Sequence, residues 1–188
     1  MRIIAGKFRS RRLRTLPGAK IRPTSDRLRE TLFNVLCAGN PSALEGAVWV
    51  DLFAGTGAVG IEALSRGAAS VYFVESARAA AELIEQNLRP LNSDAEIQIL
   101  RQDVAAAIRA LQRRNLQPDF IFLDPPYAMR DAYRQTLSDL AASPLSDKAL
   151  VIAEHEGKFD PGENFAPLHR VRRLEQGDSA LSFYRCLA

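Results

Sequence analysis

Val48-Trp49-Val50-Asp51-Leu52-Phe53-Ala54-Gly55-Thr56-Gly57-Ala58-Val59-Gly60-Ile61-Glu62 is the stretch that decides the fold. It begins apolar and β-branched, the composition of a strand buried on both faces. Asp51 and a glycine turn follow. Beyond the turn, Val59, Ala63 and Leu64 fall on one face at helical spacing. Strand, glycine turn and helix are the opening of a nucleotide-binding βαβ unit. Gly55 and Gly57 permit a tight turn and let a ligand approach where a Cβ would block it. The start of the helix points unpaired N–H groups at the same spot.

Two ligands suit this loop. Gly55-x-Gly57-x-x-Gly60 matches a dinucleotide fingerprint, and Glu75 stands 20 residues after Gly55, where a ribose-binding acid is expected. S-adenosylmethionine also carries an adenosine but has no pyrophosphate. Asp51 favours it, because a carboxylate there would repel a pyrophosphate and attract a cationic methionine end. A close-packed turn with no ligand remains the third reading, and the rest of the chain has to choose.

The chain has 188 residues, enough for one domain with a small appendage, and its 47% apolar content suffices for a sizeable core. No apolar run approaches the roughly 20 residues of a membrane span. The basic N-terminus has no apolar segment after it, so no secretory signal is expected. Cys37 and Cys186 sit among apolar neighbours and read as buried free thiols of a cytoplasmic protein. His155 and His169 have no partners at ligand spacing, so no metal site is inferred. The net charge of +3 is unevenly spread. Residues 1–30 hold ten Lys/Arg and two Asp/Glu, a charge of +8; residues 31–188 hold fifteen and twenty, a charge of −5. A basic arm on a mildly acidic body is the footprint of a polyanion partner.

Met1 to Phe8 reads as a short strand, and with Arg9, Arg11, Arg12 and Arg14 it suggests a β-hairpin presenting arginines on one face. Pro17-Gly18 is a turn. Thr24 or Ser25 caps a helix whose stripe is Leu28, Leu32, Val35 and Leu36, with Arg27, Arg29 and Glu30 off it. Strands follow at 48–53, 70–75, 97–101, 119–123 and 149–154, alternating with helices at 58–66, 77–88, 104–114 and 130–142. Leu168–Leu174 and Ala180–Leu187, joined through Gly177, form an antiparallel hairpin.

An acid at the end of the second strand, Glu75, is placed for a ribose diol; it could instead serve the N-terminus of the next helix. Asp103 could accept from an adenine amine or act only as a helix cap. Asp124-Pro125-Pro126-Tyr127 ends a nearly all-apolar strand. Its prolines remove two N–H groups and leave carbonyls and a carboxylate as acceptors. Such a site suits an amino group. A base amine is a poor nucleophile, and accepting its two hydrogens at Asp124 and the Pro125 carbonyl stabilises positive charge growing on nitrogen. Tyr127 offers a ring for a base taken out of its stack.

Asp51-Leu-Phe-Ala-Gly-Thr-Gly57, Glu75, Asp103 and Asp124-Pro-Pro-Tyr127 resemble the motif set of class I S-adenosylmethionine-dependent amino-methyltransferases. Met1-Arg-Ile-Ile-Ala-Gly-Lys7, Arg22-Pro-Thr-Ser-Asp-Arg-Leu-Arg-Glu30, Leu32-Phe-Asn34 and Gly177-Asp-Ser-Ala-Leu-Ser-Phe-Tyr184 narrow the resemblance to the bacterial RsmD family. That resemblance implies a Rossmann-like α/β fold: a seven-stranded, mostly parallel sheet with an antiparallel C-terminal hairpin, plus a small N-terminal hairpin and helix. It implies a basic appendage at 1–20 and a methyltransferase domain at 21–188. S-adenosylmethionine would meet Asp51, Phe53, Ala54, Gly55, Gly57, Glu75, Asp103 and Val104. Asp124, Pro125, Pro126 and Tyr127 would act on a guanine N2 of small-subunit (16S) ribosomal RNA, and Arg9, Arg11, Arg12, Arg14 and Arg22 would bind the RNA. A cytoplasmic monomer acting on assembled or partly assembled subunits, with ribosomal proteins as part of its substrate, is expected. The rival readings are a DNA adenine or cytosine amino-methyltransferase, a nicotinamide-dependent dehydrogenase and a non-catalytic RNA-binding module.

Overall fold

The computed structural model describes residues 1–15 and 25–187. Arg22 and the Pro17-Gly18 turn lie outside the described residues. Five parallel strands form the first part of one sheet: β1 (Val48–Leu52), β2 (Ser70–Val74), β3 (Glu96–Leu100), β4 (Phe120–Leu123) and β5 (Leu150–Glu156). β6 (Asn164–Phe165), β7 (Leu168–Gln176) and β8 (Ser179–Cys186) complete it. The strand order is β3-β2-β1-β4-β5-β8-β7-β6. The sheet thus has eight strands where seven were expected. The extra one, β6, is two residues long and pairs only through Asn164↔His169 and Phe165↔Leu168, too short to leave a periodic signature.

The order reverses between β1 and β4. β2 and β3 lie to one side of β1, β4 and β5 to the other, so the connections after β1 and β4 diverge. In a doubly wound sheet this switch point opens a crevice at the carboxyl ends of the strands. Among the described residues five α-helices flank the sheet: α1 (Asp26–Leu36), α2 (Ala58–Ser65), α3 (Arg78–Leu88), α4 (Val104–Arg113) and α5 (Arg130–Ala141). α1, α2 and α3 cover one face with Trp49, Phe73 and Phe122 beneath them. α4 and α5 cover the other, over Val50, Leu52, Ile121 and Val151. Alternate residues of β1 therefore serve opposite cores, as the two-residue pleat requires. Trp49 anchors the first core, its ring 5.4 Å from Phe33 and 5.5 Å from Phe120.

Ser25 caps α1, its side chain accepting from Leu28 N. Arg29 does not lie off the stripe: it is completely buried, as is Glu62. Arg29 Nη2 reaches Asp26 at 3.0 Å, and Arg29 Nε lies 3.8 Å from Glu62, which also pairs with Arg66 at 2.9 Å. A guanidinium can be buried when carboxylates and carbonyls meet it, and the apolar stem adds to the packing. Burial lowers the Arg29 pKa, and Glu62 and Asp26 oppose that shift.

The N-terminal segment is not the expected strand. Its antiparallel pairing is one bridge, Arg2↔Arg12, supported by Ile3 N donating to Arg11 O and Ser10 N to Ile3 O, both 2.9 Å. The donors that would have built a ladder go to α2 instead. Ile4 N and Ala5 N donate to the Glu62 carboxylate, at 2.8 and 3.0 Å. Lys7 N donates to Ser65 O and Phe8 N to Ser65 Oγ, at 2.7 and 2.9 Å. Gly6, at φ +80°, passes so close that a Cβ there would lie 1.8 Å from Ser65 O. Ile3, Phe8 and Leu13 enter the α1–α3 core, so the arm is packed onto the body.

Candidate active site

The loop after β1 is shaped by left-handed backbone: Phe53, Gly55 and Gly57 have φ of +61°, +55° and +78°. Phe53 adopts this conformation without being glycine, at a cost of order 1 kcal/mol or more. Its ring packs against the α4–α5 core. Ala54 N donates to Val74 O at 2.9 Å, tying the loop to the end of β2. A Cβ at Gly55 would have only Phe53 O nearby, at 3.9 Å, so the loop is open at this residue. Gly60 has a different task. A Cβ there would lie 2.4 Å from Phe73 Cε1, so this glycine lets α2 settle on β2.

Asp51 is buried, and its Oδ2 accepts from Gly60 N at 2.8 Å in the first turn of α2. Desolvation pushes its pKa up to about 7, against the Gly60 hydrogen bond and with help from the charge of Glu75. This is a carboxylate short of positive charge, and a cation bound beside it would relieve it.

Glu75 follows β2 and is half-buried. Its Oε2 accepts from Gly55 N at 2.9 Å and its Oε1 from Ala77 N at 2.8 Å. These bonds tie it to the glycine loop and to the residue before α3, while α3 itself receives no side-chain cap. Carboxylate oxygens have further lone pairs for a diol. Asp103 is exposed and caps α4, accepting from Ala106 N at 2.8 Å, with Val104 as the first helical residue.

Asp124-Pro125-Pro126-Tyr127 continues β4 beside β1, at the other lip of the switch point. Asp124 and Tyr127 are half-buried, Pro125 is buried and Pro126 is exposed. The Pro125 carbonyl is already engaged: Tyr133 of α5 donates its hydroxyl to it at 3.0 Å. Its second lone pair remains for another donor. The Pro126 carbonyl accepts from Met129 N at 2.7 Å, which closes a turn into α5. Tyr127 Oη lies 3.1 Å from Ser179 Oγ at the start of β8. The Gly177-Asp-Ser179 corner therefore touches the tetrapeptide directly.

The structure brings the glycine loop, Glu75, Asp103 and the Asp124 turn onto one rim of the sheet. It divides the arginines of the arm. Arg11 donates to the Pro90 carbonyl, and Arg14 Nη1 to Gln86 Oε1 at 3.1 Å, so these two lie on the end of α3. Arg9 lines a groove of about 600 Å³ with Arg2, Arg27 and Arg66; Asp26 and Glu30 also border it. Arg12 is exposed. Both cysteines are free and half-buried rather than buried. Among the described residues no group of three or more His, Cys, Asp or Glu could hold a metal, and no helix is long and apolar enough to cross a membrane.

Four participants were not foreseen from sequence. Ser179 and Tyr133 carry no local signal, because only the fold brings them to the tetrapeptide. Asn87 gave none either. Its Oδ1 accepts from Arg14 N at 2.8 Å, and its Nδ2 donates to Thr56 O at 3.0 Å, joining arm and glycine loop. Glu62 did give one: it is the lone charge in Ala58–Ser65, a helix buried on every side.

The family described as Conserved hypothetical protein 95 matches residues 1–185. An Escherichia coli K12 relative named Ribosomal RNA small subunit methyltransferase D is 35% identical over 157 residues, 83% of this chain and 75% of the relative. A Haemophilus influenzae protein of the same name is 37% identical over 160 residues, 83% and 79% of the two chains. The solved structure of a hypothetical protein from Thermus thermophilus has a TM-score of 0.81 at 28% identity, covering 98% of this chain and 99% of that one. A SAM-dependent methyltransferase from Agrobacterium tumefaciens shares the fold, with a TM-score of 0.61 at 18% identity over 85% of this chain and 62% of its own. A correspondence that runs from residue 1 to residue 185, on a doubly wound sheet with its crevice between β1 and β4, makes this chain a member of that family, the RsmD family of methyltransferases.

Proposed function

We propose that this protein transfers a methyl group from S-adenosylmethionine to the exocyclic N2 of a guanine in small-subunit (16S) ribosomal RNA, within assembled or partly assembled subunits. The relatives named as small-subunit ribosomal RNA methyltransferases support the substrate class. The observation that carries the reading is the Asp124 turn at the lip of the crevice, opposite the glycine loop and stripped of two N–H groups by Pro125 and Pro126.

S-adenosylmethionine supplies a methyl group already activated on a sulfonium. The chain's residues fit it. Gly55 leaves room above the loop, Gly57 supplies a left-handed turn where a Cβ would crowd Ile84 at 3.2 Å, Asp51 answers the cationic methionine end, Glu75 the ribose, and Asp103 the adenine amine, with Phe53, Ala54 and Val104 around them. Asp124 takes one hydrogen of the guanine amine, and the remaining lone pair of Pro125 O takes the other. Tyr127 gives the extruded base a face to stack on. Alignment of nitrogen with the methyl carbon is then the main work left to the protein. Residues 1–20 act as the RNA-binding appendage through Arg9, Arg11, Arg12, Arg14 and Arg22, and residues 21–188 as the catalytic domain. The enzyme works in the cytoplasm as a monomer.

The test uses small subunits from a strain lacking the gene. Labelled methyl should appear in their RNA, nucleoside mass spectrometry should identify N2-methylguanosine, and Asp124→Ala should abolish transfer. Undiminished transfer by Asp124→Ala would refute the chemistry. Methylation of duplex DNA with none of subunits would favour the DNA amino-methyltransferase reading.

A further inference from the structure

Two prolines make the tetrapeptide a good acceptor site and take two of its N–H groups out of the backbone ladder. β4 ends at Leu123, whose register partner on β5 is Ala153. Beyond it, Pro125 and Pro126 have no N–H with which to continue the ladder. Yet the Pro125 carbonyl and the Tyr127 ring must hold their places to within a fraction of an ångström if a base amine is to be aligned.

Two hydroxyls reach this segment from separate elements. Tyr133, completely buried on α5, donates to Pro125 O at 3.0 Å. Ser179, buried at the start of β8, lies 3.1 Å from Tyr127 Oη. Each is itself fixed. The Tyr133 ring packs 5.2 Å from Phe159 and edge-on to His155 at 6.4 Å. His155 is held between Ser182 Oγ and the Glu156 carbonyl, both at 2.9 Å. Ser179 pairs with Glu156 of β5 in the sheet. Burial and the nearby Asp124 charge raise the Tyr133 phenol, so it stays a donor.

We infer that Tyr133 and Ser179 are positioning residues that clamp the Asp-Pro-Pro-Tyr segment from its two ends, Tyr133 setting the Pro125 carbonyl and Ser179 the plane of the Tyr127 ring. The inference rests on the proposed amino-methyltransfer, since only that reaction gives the carbonyl and ring their tasks. It does not overlap the groups that hold cofactor or RNA.

The variants are Tyr133→Phe, Ser179→Ala and the double variant. On subunits, each single change should lower the single-turnover rate of methyl transfer about tenfold, the scale of one buried hydrogen bond. Dissociation constants for S-adenosylmethionine and for RNA should stay within about twofold, which a general structural defect would not spare. Because both hydroxyls hold one segment, the double variant should be little slower than the worse single one. A second readout needs no substrate. Amide exchange at Tyr127, Ala128 and Met129 in the free protein should speed up in each variant while β4 stays protected. Faster exchange there supports the clamp even if wild type proves inactive on ribosomal RNA, a result that would remove only the proposed function. Should Tyr133→Phe fail to fold, Ser179→Ala carries the test alone. Wild-type exchange at those three amides, or a wild-type rate beside an active parent enzyme, overturns the clamp.

Discussion

Asp51 concentrates the electrostatics of the site in one carboxyl group. Its pKa in the free protein is raised to about 7 by burial. An acid raised on folding holds its proton between the ordinary carboxylate range and about pH 7. Its stabilising share is complete below that range and is lost as pH rises through 7. A cation beside it favours the ionised form, so cofactor affinity should move the other way, climbing as pH rises from 6 towards 8 with proton release on binding. Calorimetry in buffers of different ionisation heat measures both. Asp51→Asn should flatten the dependence, and an unchanged slope in that variant would place the titration elsewhere. The placement of Glu75, Asp103 and Asp124 was legible in the sequence because each follows a strand, and that of Asp51 because it stands within β1 just before the glycine turn. Arg29 misled for a physical reason. A charged residue beside a stripe normally faces water, and the partners that make this burial tolerable include the Arg2 carbonyl and the Glu62 carboxylate, both remote in sequence.

Among the elements, α2 is the most constrained. Its N-terminus receives Asp51, its middle rests on Phe73 at Gly60, and its last turn carries the N-terminal arm. Alanine at Gly60 would gain about 1 kcal/mol in helix propensity. It would also force a contact of 2.4 Å with a buried ring. Overpacking of that kind costs about 1–3 kcal/mol, so Gly60→Ala should lower the melting temperature. Glu62→Gln should act more strongly. It leaves Arg29 buried with Asp26 alone of its two carboxylates, and gives Ile4 and Ala5 one acceptor atom where they had two. Losing a partner from a buried pair costs about 3–5 kcal/mol. Urea unfolding should show the loss, and amide exchange at Ile4 and Ala5 should accelerate even where the body stays folded. The parallel strands and their helices were readable to within a residue or two, since each carries a clear period and a turn signal. The arm was not. Its apolar Ile3-Ile4 run reads like a short strand, but its donors are claimed by α2, a tertiary competitor that local pattern cannot reveal.

For the whole molecule, charge separation is the guiding fact: a +8 segment over residues 1–30 on a −5 remainder. RNA affinity should therefore fall steeply with salt as counterions are released. Arg9 and Arg12 are exposed, and the side-chain hydrogen bonds from the arm to the end of α3 come from Arg11 and Arg14 instead. Reversing Arg9 and Arg12 to Glu should weaken RNA binding and reduce the slope of log K against log salt by about 1 for each phosphate left without its arginine. Cofactor affinity should hold steady, and a drop in it would put the arm inside the cofactor site. That β7 and β8 pair as an antiparallel hairpin was readable from the sequence. The insertion of β8 between β5 and β7 was not, because a hairpin signal says which strands pair with each other and nothing of which one meets the sheet.

That insertion affects the order in which the molecule can be made. During translation β5 and β7 both emerge before β8, and in the finished sheet each depends on β8 for an entire row of backbone partners. Until Cys186 has been synthesised, a nascent chain would present two unsatisfied strand edges, the kind that recruit other chains. Ser179 arrives on the same late strand, so Tyr127 acquires that restraint only when the edges close.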